Sequence, residues 1–250
     1  MYVSLNELSA ALRRCFEANG YSVGQYEDAA NAIVWLEQHG CKGLDELYRS
    51  LPFLETDQVK PGSQVSYEDA SSLVLECTGR SALNCVAAAV DLVQVKARHA
   101  GIATLTLHNC HNRMFVMKAL ADCGRRGLSA VAYWQNGSDV ITEHTAAIRA
   151  GDSYPNYARV ALSPEACDDV AEHQSLTLLC TRQLNLTSSL RNQLKGKDLL
   201  ELTPQQLEEN GRVALDKGIH IDAQLWASIN DIGSAVLVEN SESSRQGAGE

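Results

Sequence analysis

Between residues 72 and 134 the apolar pattern changes its period four times, and this limits the chain to a narrow set of architectures. Ser72-Leu73-Val74-Leu75-Glu76 reads as a short apolar strand. From Ala82 to Ala100 the residues Ala82, Val86, Ala89-Val90, Leu92-Val93 and Val95 recur at helical spacing. Ile102 to Leu107 alternates as a strand, Met114 to Cys123 returns to the helical period and closes at Gly124, and Leu128 to Trp134 is apolar again. Strand, helix, strand, helix, strand in about 60 residues predicts helices layered against a sheet. The expected class is therefore α/β: a mixed sheet with helices packed on it, its β-α-β-α-β core spanning 70–135. Parallel pairing throughout is not required by the pattern.

A helical segment precedes this core over residues 1–52. Ser4 with Glu7 three residues later forms a capping-box signature, followed by Leu8, Leu12, Cys15 and Phe16 at helical spacing up to Gly20. A second helix is predicted over about Gln25 to Gln38, ending at Gly40. A third, short one covers Leu44 to Leu51 and stops before Pro52. Residues 54–65, polar and containing Pro61-Gly62, read as a loop. Beyond 135 the pattern weakens: Gln135 to Asp139 is a turn, and Tyr157 to Leu162 and Ser175 to Cys180 are candidate strands. Leu184 to Leu194 looks helical. Thr203 with Pro204 opens a helix closing at Gly218, Ile219 to Ile221 is extended, and Asp222 caps a helix containing Leu225, Trp226 and Ile229. Ala235 to Val238 is a candidate strand, and 241–250 is polar enough to be a mobile tail. With no repeat or linker, the expectation is one domain over 1–240.

Lys and Arg number 21 against 31 Asp and Glu, a formal charge of −10. Nucleic-acid affinity rests on Lys and Arg neutralising phosphates, so this balance argues against a nucleic-acid partner and against anionic membrane surfaces. No apolar run approaches the roughly 20 residues that span a bilayer. The stretch Met1-Tyr2-Val3-Ser4-Leu5-Asn6-Glu7 lacks the basic and apolar regions of a signal peptide, so a cytoplasmic protein is expected. None of the eight cysteines forms a Cys-x-x-Cys pair, and several sit in apolar helical stretches, where free thiols act as small hydrophobes.

The densest polar cluster is His108-Asn109-Cys110-His111-Asn112-Arg113, read as the turn between a strand and the next helix. In open α/β sheets ligands bind beyond the carboxyl ends of strands, where helix N-termini also offer free N–H groups. Two imidazoles, two amides and a guanidinium there suit a carboxylate or phosphate, with a histidine as general acid. A hydrogen-bonded turn with a helix cap explains the same residues without function. His108, Cys110 and His111 lack a further ligand motif, so no metal is expected. Glu143-His144 and Glu172-His173 read as surface neighbours, and His220 as a half-buried histidine between isoleucines. Thr78-Gly79-Arg80-Ser81 precedes a helix: a cap, or a phosphate contact through Arg80. Gly-x-Gly-x-x-Gly, Walker and Gly-x-Ser-x-Gly motifs are absent.

Ala100 to His111, the helix 114–123 and Gly127-Leu128-Ser129-Ala130-Val131-Ala132-Tyr133 together resemble the non-Rossmann malate/L-lactate dehydrogenase family. That family has a glycine-led strand, a turn ending His-Phe-Gly, a helix and another strand. His111 matches the histidine, and Asn112-Arg113 replace Phe-Gly. The family's Ser-His-Gly, with an arginine four residues after the histidine, corresponds to Gly40-Cys41-Lys42-Gly43-Leu44-Asp45-Glu46. Cys41 takes the serine position, Lys42 that of the proton-donating histidine and Glu46 that of the arginine holding the substrate carboxylate. The opening Val3-Ser4-Leu5-Asn6-Glu7 and the closing Ser241 to Gly249 are also similar to an uncharacterised bacterial family, a remote branch of the same superfamily.

The resemblance implies a homodimer that binds NADH or NADPH in a non-Rossmann fold and reduces a small anionic metabolite, a 2-oxo acid or cyclic imino acid. The resemblance marks His111 and the Lys42 position as catalytic, and the reading of the polar cluster and of the 78–81 turn adds His108, Asn109, Asn112, Arg113 and Arg80 for binding. Replacing a guanidinium by Glu46 reverses a pair worth about 4 kcal/mol at about 4 Å and an effective dielectric near 20. Arg113 is the candidate substitute charge, and Lys42 serves as an acid only if burial lowers its pKa. Two other readings stand beside this one. One is a nicotinamide-independent reaction using His111, with Lys42 and Cys41 beside the pocket; the other is a non-catalytic binding or partner subunit.

Overall fold

The computed structural model describes residues 1–59, 62–137, 140–162, 174–182 and 196–236. The predicted helix 184–194, the pair Glu172-His173, half of the strand 235–238 and the tail 241–250 lie outside them.

The chain opens with strand β1 (Tyr2–Val3), then helices α1 (Leu5–Ala18), α2 (Val23–Gln38) and α3 (Gly43–Val59). The Ser4–Glu7 capping box forms as the sequence predicts: Glu7 N–H donates to Ser4 Oγ at 3.2 Å and Ser4 N–H donates to Glu7 Oε2 at 2.8 Å. The acceptor role holds the Glu7 carboxyl below its ordinary range. Leu8, Leu12, Cys15 and Phe16 of α1 and Ala29, Ala30, Ile33 and Leu36 of α2 are buried on facing sides. Helix α3 runs past Pro52, where a stop was expected. Proline forfeits one backbone hydrogen bond, but burial of Leu44, Leu47 and Leu54 holds the helix together on both sides of it.

Strands β2 (Gln64–Glu68) and β3 (Ser72–Ser81), helix α4 (Val86–Ala100), β4 (Ile102–His111), α5 (Val116–Arg125) and β5 (Ser129–Asn136) follow. Then come β6 (Thr142–Ile148), β7 (Asn156–Leu162), β8 (Leu176–Thr181) and β9 (Gly196–Leu202). Helix α6 (Pro204–Lys217), β10 (Ile219–His220) and α7 (Ala223–Ser234) complete the described elements. Strands β2 to β9 make an eight-stranded sheet in the order β2-β3-β4-β8-β5-β6-β7-β9, and β1 pairs with β10. Only β3 and β4 are parallel; the other neighbours are antiparallel. The sheet is mixed, as expected, because β8 inserts between β4 and β5 and pairs antiparallel with both. Leu105 and Leu107 of β4, Ala130, Ala132 and Trp134 of β5, and Leu176, Leu178 and Cys180 of β8 supply the buried face.

The structure departs from the sequence reading at three strands. Strand β2 falls at the edge of the predicted loop, and all five of its residues are exposed, so no buried face imposed an apolar alternation. Strand β6 begins with the polar run Thr142-Glu143-His144-Thr145 yet pairs along its length with β5 and β7. Strand β4 continues through His108-Asn109-Cys110-His111, where a turn was predicted. A bulge in β3 between Glu76 and Arg80 faces this end, and Thr78 and Asn109 both take a φ of 51°. Asn109 Nδ2 donates to both carboxylate oxygens of Glu76, at 3.0 and 2.9 Å, while Thr78 N–H donates to Oε1 at 2.8 Å. The polarity of this segment is thus partly explained by backbone geometry.

All seven described cysteines are buried and none forms a disulfide. No described helix is long and apolar enough to cross a membrane.

Candidate functional site

Helix α2 ends at Gln38, and the chain then reverses through Gly40, Cys41 and Lys42 into α3. Gly40 has φ 76° and Lys42 φ 57°. Leu44 N–H donates to Glu37 Oε2 at 2.9 Å, so a half-buried carboxylate terminates the first turn of α3. Gly43 cannot be replaced cheaply, since a Cβ there would lie 2.4 Å from Ile33 O and 2.9 Å from Glu37 N. This tight turn forms one wall of a cleft of about 650 Å³. The end of β4, the polar ends of β5, β6 and β7, and Leu199, Leu200 and Leu202 of β9 form the rest.

The cleft gathers Lys42, His111, Asn112 and Arg113 from the sequence-derived set. Lys42 stands at the rim with its side chain 75% exposed and its Nζ 3.9 Å from Asp45. The burial that the catalytic reading of Lys42 requires is therefore missing. Asn112 takes the left-handed conformation, φ 51°, and its Nδ2 donates to Glu46 O at 3.4 Å. Arg113 is only 8% exposed. Its Nη1 donates to Cys110 O at 3.1 Å, and its Nη2 donates to Gln135 O at 3.0 Å and to Asn136 Oδ1. Burial lowers its pKa. Arg113 is thus fastened to neutral acceptors, leaving Nε.

Three residues of the predicted binding set do not line this cleft. His108 is turned to Ser175 Oγ, 3.0 Å from Nδ1, Asn109 holds Glu76, and Arg80 lies opposite Cys110 near the end of β3. Cys41 lines the cleft, but burial, reinforced by Glu37, pushes its thiol up to about 12, so it offers no thiolate nucleophile.

The opposite wall was not foreseen. Trp134, His144 and Arg159 lie in register across β5, β6 and β7. His144, expected at the surface, is 6% exposed and stacks on Trp134 with ring centroids 4.9 Å apart. Its Nδ1 is 2.7 Å from Tyr157 Oη, and its Nε2 is 3.1 Å from Thr142 Oγ1 and 3.2 Å from Asn136 Nδ2. Burial first, then the charges of Arg159 and Arg113, push its pKa down to about 3, so the ring is neutral. Glu46 pairs with Arg49 at 2.9 Å, and Arg159 has no carboxylate partner among the described residues. Arg113 Nε and Arg159 Nε are buried donors lacking an acceptor, and Asn112 Oδ1 is a buried acceptor lacking a donor.

The eight-stranded mixed sheet, with its cleft between the α3 turn and the strand ends, has the fold of solved malate/lactate dehydrogenase-like structures. The family described as "Protein of unknown function (DUF3726)" matches residues 3–106. Malate dehydrogenase from Entamoeba histolytica superposes with a TM-score of 0.71 at 8% identity, over 96% of this chain and 99% of that one. Sulfolactate dehydrogenase from Methanocaldococcus jannaschii gives a TM-score of 0.67 at 12% identity, over 93% and 96% of the chains. Delta1-piperideine-2-carboxylate reductase from Pseudomonas syringae pv. tomato gives 0.61 at 14% identity, over 93% and 99%. No curated protein matches the chain by sequence. At such identities the likeness establishes the fold, and the chemistry has to come from the cleft.

Proposed function

We propose that the protein binds a small 2-oxo acid or cyclic imino acid in this cleft and reduces it with NADH or NADPH. The carrying observation is the pair of buried guanidinium N–H groups, Arg113 Nε and Arg159 Nε, that meet no acceptor among the described residues. A buried unsatisfied donor costs about 1–3 kcal/mol, more when charged, and a ligand carboxylate removes that cost. Lys42 and Arg49 are already partnered by Asp45 and Glu46, so Arg113 and Arg159 carry the uncompensated positive charge. An anionic ligand is thus favoured in a protein whose formal charge is −10.

The cofactor class fits one further observation. Asn112 Oδ1 needs a donor, and a nicotinamide carboxamide brings an N–H₂ group. Nicotinamide, when bound, supplies the hydride. Within the chain, Arg159 and Arg113 hold the carboxylate, Asn112 orients the carboxamide, and His111 at the cleft wall supplies the proton to the carbonyl oxygen, or to the imine nitrogen, while the adjoining carbon takes the hydride. The homodimer and cytoplasmic location belong to the same proposal. Titration of NADH and NADPH by fluorescence, with pyruvate, oxaloacetate and Δ1-piperideine-2-carboxylate as substrates, tests it. Cofactor oxidation that falls about 100-fold or more in His111→Ala is expected. No cofactor binding at millimolar concentration would sink it.

A second reading, a binding subunit without turnover, draws on Lys42 and Glu46. The positions matching the family's proton donor and substrate arginine hold a solvent-facing ammonium and a carboxylate paired with Arg49. Tight binding of the acid with no cofactor oxidation would favour it.

A further inference from the structure

We propose that Tyr157 is the residue that recognises the 2-oxo oxygen of the bound acid, through a hydroxyl aimed by Arg113, Asn136 and His144. The proposal rests on the anion-binding reading of the cleft and names the group that distinguishes a 2-oxo acid from a plain carboxylate.

The direction of each hydrogen bond follows from the one before it. Arg113 has only donors, and its contacts with Cys110 O and Gln135 O fix the plane of the guanidinium. Its bond to Asn136 therefore requires Oδ1 at that end of the amide, leaving Nδ2 toward His144. His144 Nε2, 3.2 Å from Nδ2, must then be the lone-pair nitrogen, since two N–H groups cannot face each other. Thr142 Oγ1 is free to donate to Asn136 O at 3.2 Å. The imidazole proton consequently sits on Nδ1 and is donated to Tyr157 Oη across 2.7 Å.

Tyr157 Oη, having accepted from His144, has its own proton to give, and no acceptor for it exists among the described residues. All four side chains Asn136, Thr142, His144 and Tyr157 line the cleft that Arg159 lines. The phenol is 3% exposed, and burial raises its pKa, so it remains protonated and a donor throughout the working range. The neutrality of His144 follows from the same burial. Arg159 stands two residues along β7 from Tyr157, on the same side of the strand. A carboxylate on Arg159 therefore brings its neighbouring carbon toward the phenol. A carbonyl oxygen has two lone pairs, so Tyr157 and His111 can share it.

Calorimetric titration with pyruvate and propionate, which differ at the 2-oxo oxygen, tests this. Wild type is expected to bind pyruvate about tenfold more tightly, the ratio a neutral hydrogen bond supports. Tyr157→Phe should abolish that preference, and Arg159→Gln should weaken both ligands alike. His144→Ala should also abolish it, while His144→Asn, whose amide N–H can stand near Nδ1, should restore part of it. A purely structural role for His144 would lower both affinities together and leave the ratio intact. In wild type carrying ¹³Cζ-tyrosine, pyruvate but not propionate should shift the Tyr157 signal, which needs no variant. Equal affinities, or a preference surviving in Tyr157→Phe, overturn the assignment and leave the anion reading standing. Failure of both acids to bind overturns both.

Discussion

His144 shows how one side chain links stability to the state of the cleft. Its imidazole is neutral in the folded protein down to about pH 3, whereas in the unfolded chain it titrates near the ordinary value of about 6.5. Below pH 6.5 the unfolded state takes up a proton that the native state refuses, so stability is full above that value and declines as pH falls. From pH 6.5 to 5 this amounts to about 2 kcal/mol, at about 1.4 kcal/mol per pH unit. Urea unfolding at pH 7 and pH 5 should show that loss in wild type and not in His144→Asn. At neutral pH, His144→Ala should cost about 2–4 kcal/mol in the same assay, because it removes the stacking on Trp134 and the ring that meets Tyr157 Oη and Asn136 Nδ2. Arg159→Gln should instead leave stability nearly unchanged and weaken binding of small carboxylates about tenfold to a hundredfold, read by calorimetry.

Among the elements, those with a buried face were legible. The α1, α2, α4 and α5 helices and the cores of β3, β4 and β5 carry buried apolar residues at regular periods, and the sequence shows them. Strands β2 and β6 did not announce themselves, because β2 is exposed throughout and the first half of β6 builds a polar wall. The site divides the same way. His111, Asn112 and Arg113 are consecutive and visible as a cluster, while His144, Tyr157 and Arg159 come from two strands and meet only through pairing. Their one local trace is that Tyr157 and Arg159 are two apart in a strand whose residues from Val160 to Leu162 are apolar. Among elements the α2–α3 turn is the most sensitive. Gly43→Ala must push against Ile33 O and Glu37 N, which should cost about 3 kcal/mol in urea unfolding and weaken ligand binding by displacing the Lys42 wall.

On the scale of the whole molecule, the seven described thiols are shielded, from Cys15 in α1 to Cys180 in β8. Thiol chemistry with a disulfide reagent should reach them only at the rate at which the protein opens, and addition of a cleft ligand should slow it. The sheet order makes the same point about assembly. β8 must insert between β4 and β5 before either has its second neighbour, so the middle of the sheet depends on a strand drawn from late in the sequence.

The cleft takes one wall from residues 40–49 and the rest from the end of β4 and from β5, β6, β7 and β9, so nothing that binds there has a foothold until those distant segments have met. In stopped-flow experiments a saturating carboxylate should therefore leave the refolding rate of the chain untouched while retarding its unfolding, with all the added stability appearing on the unfolding limb of the chevron.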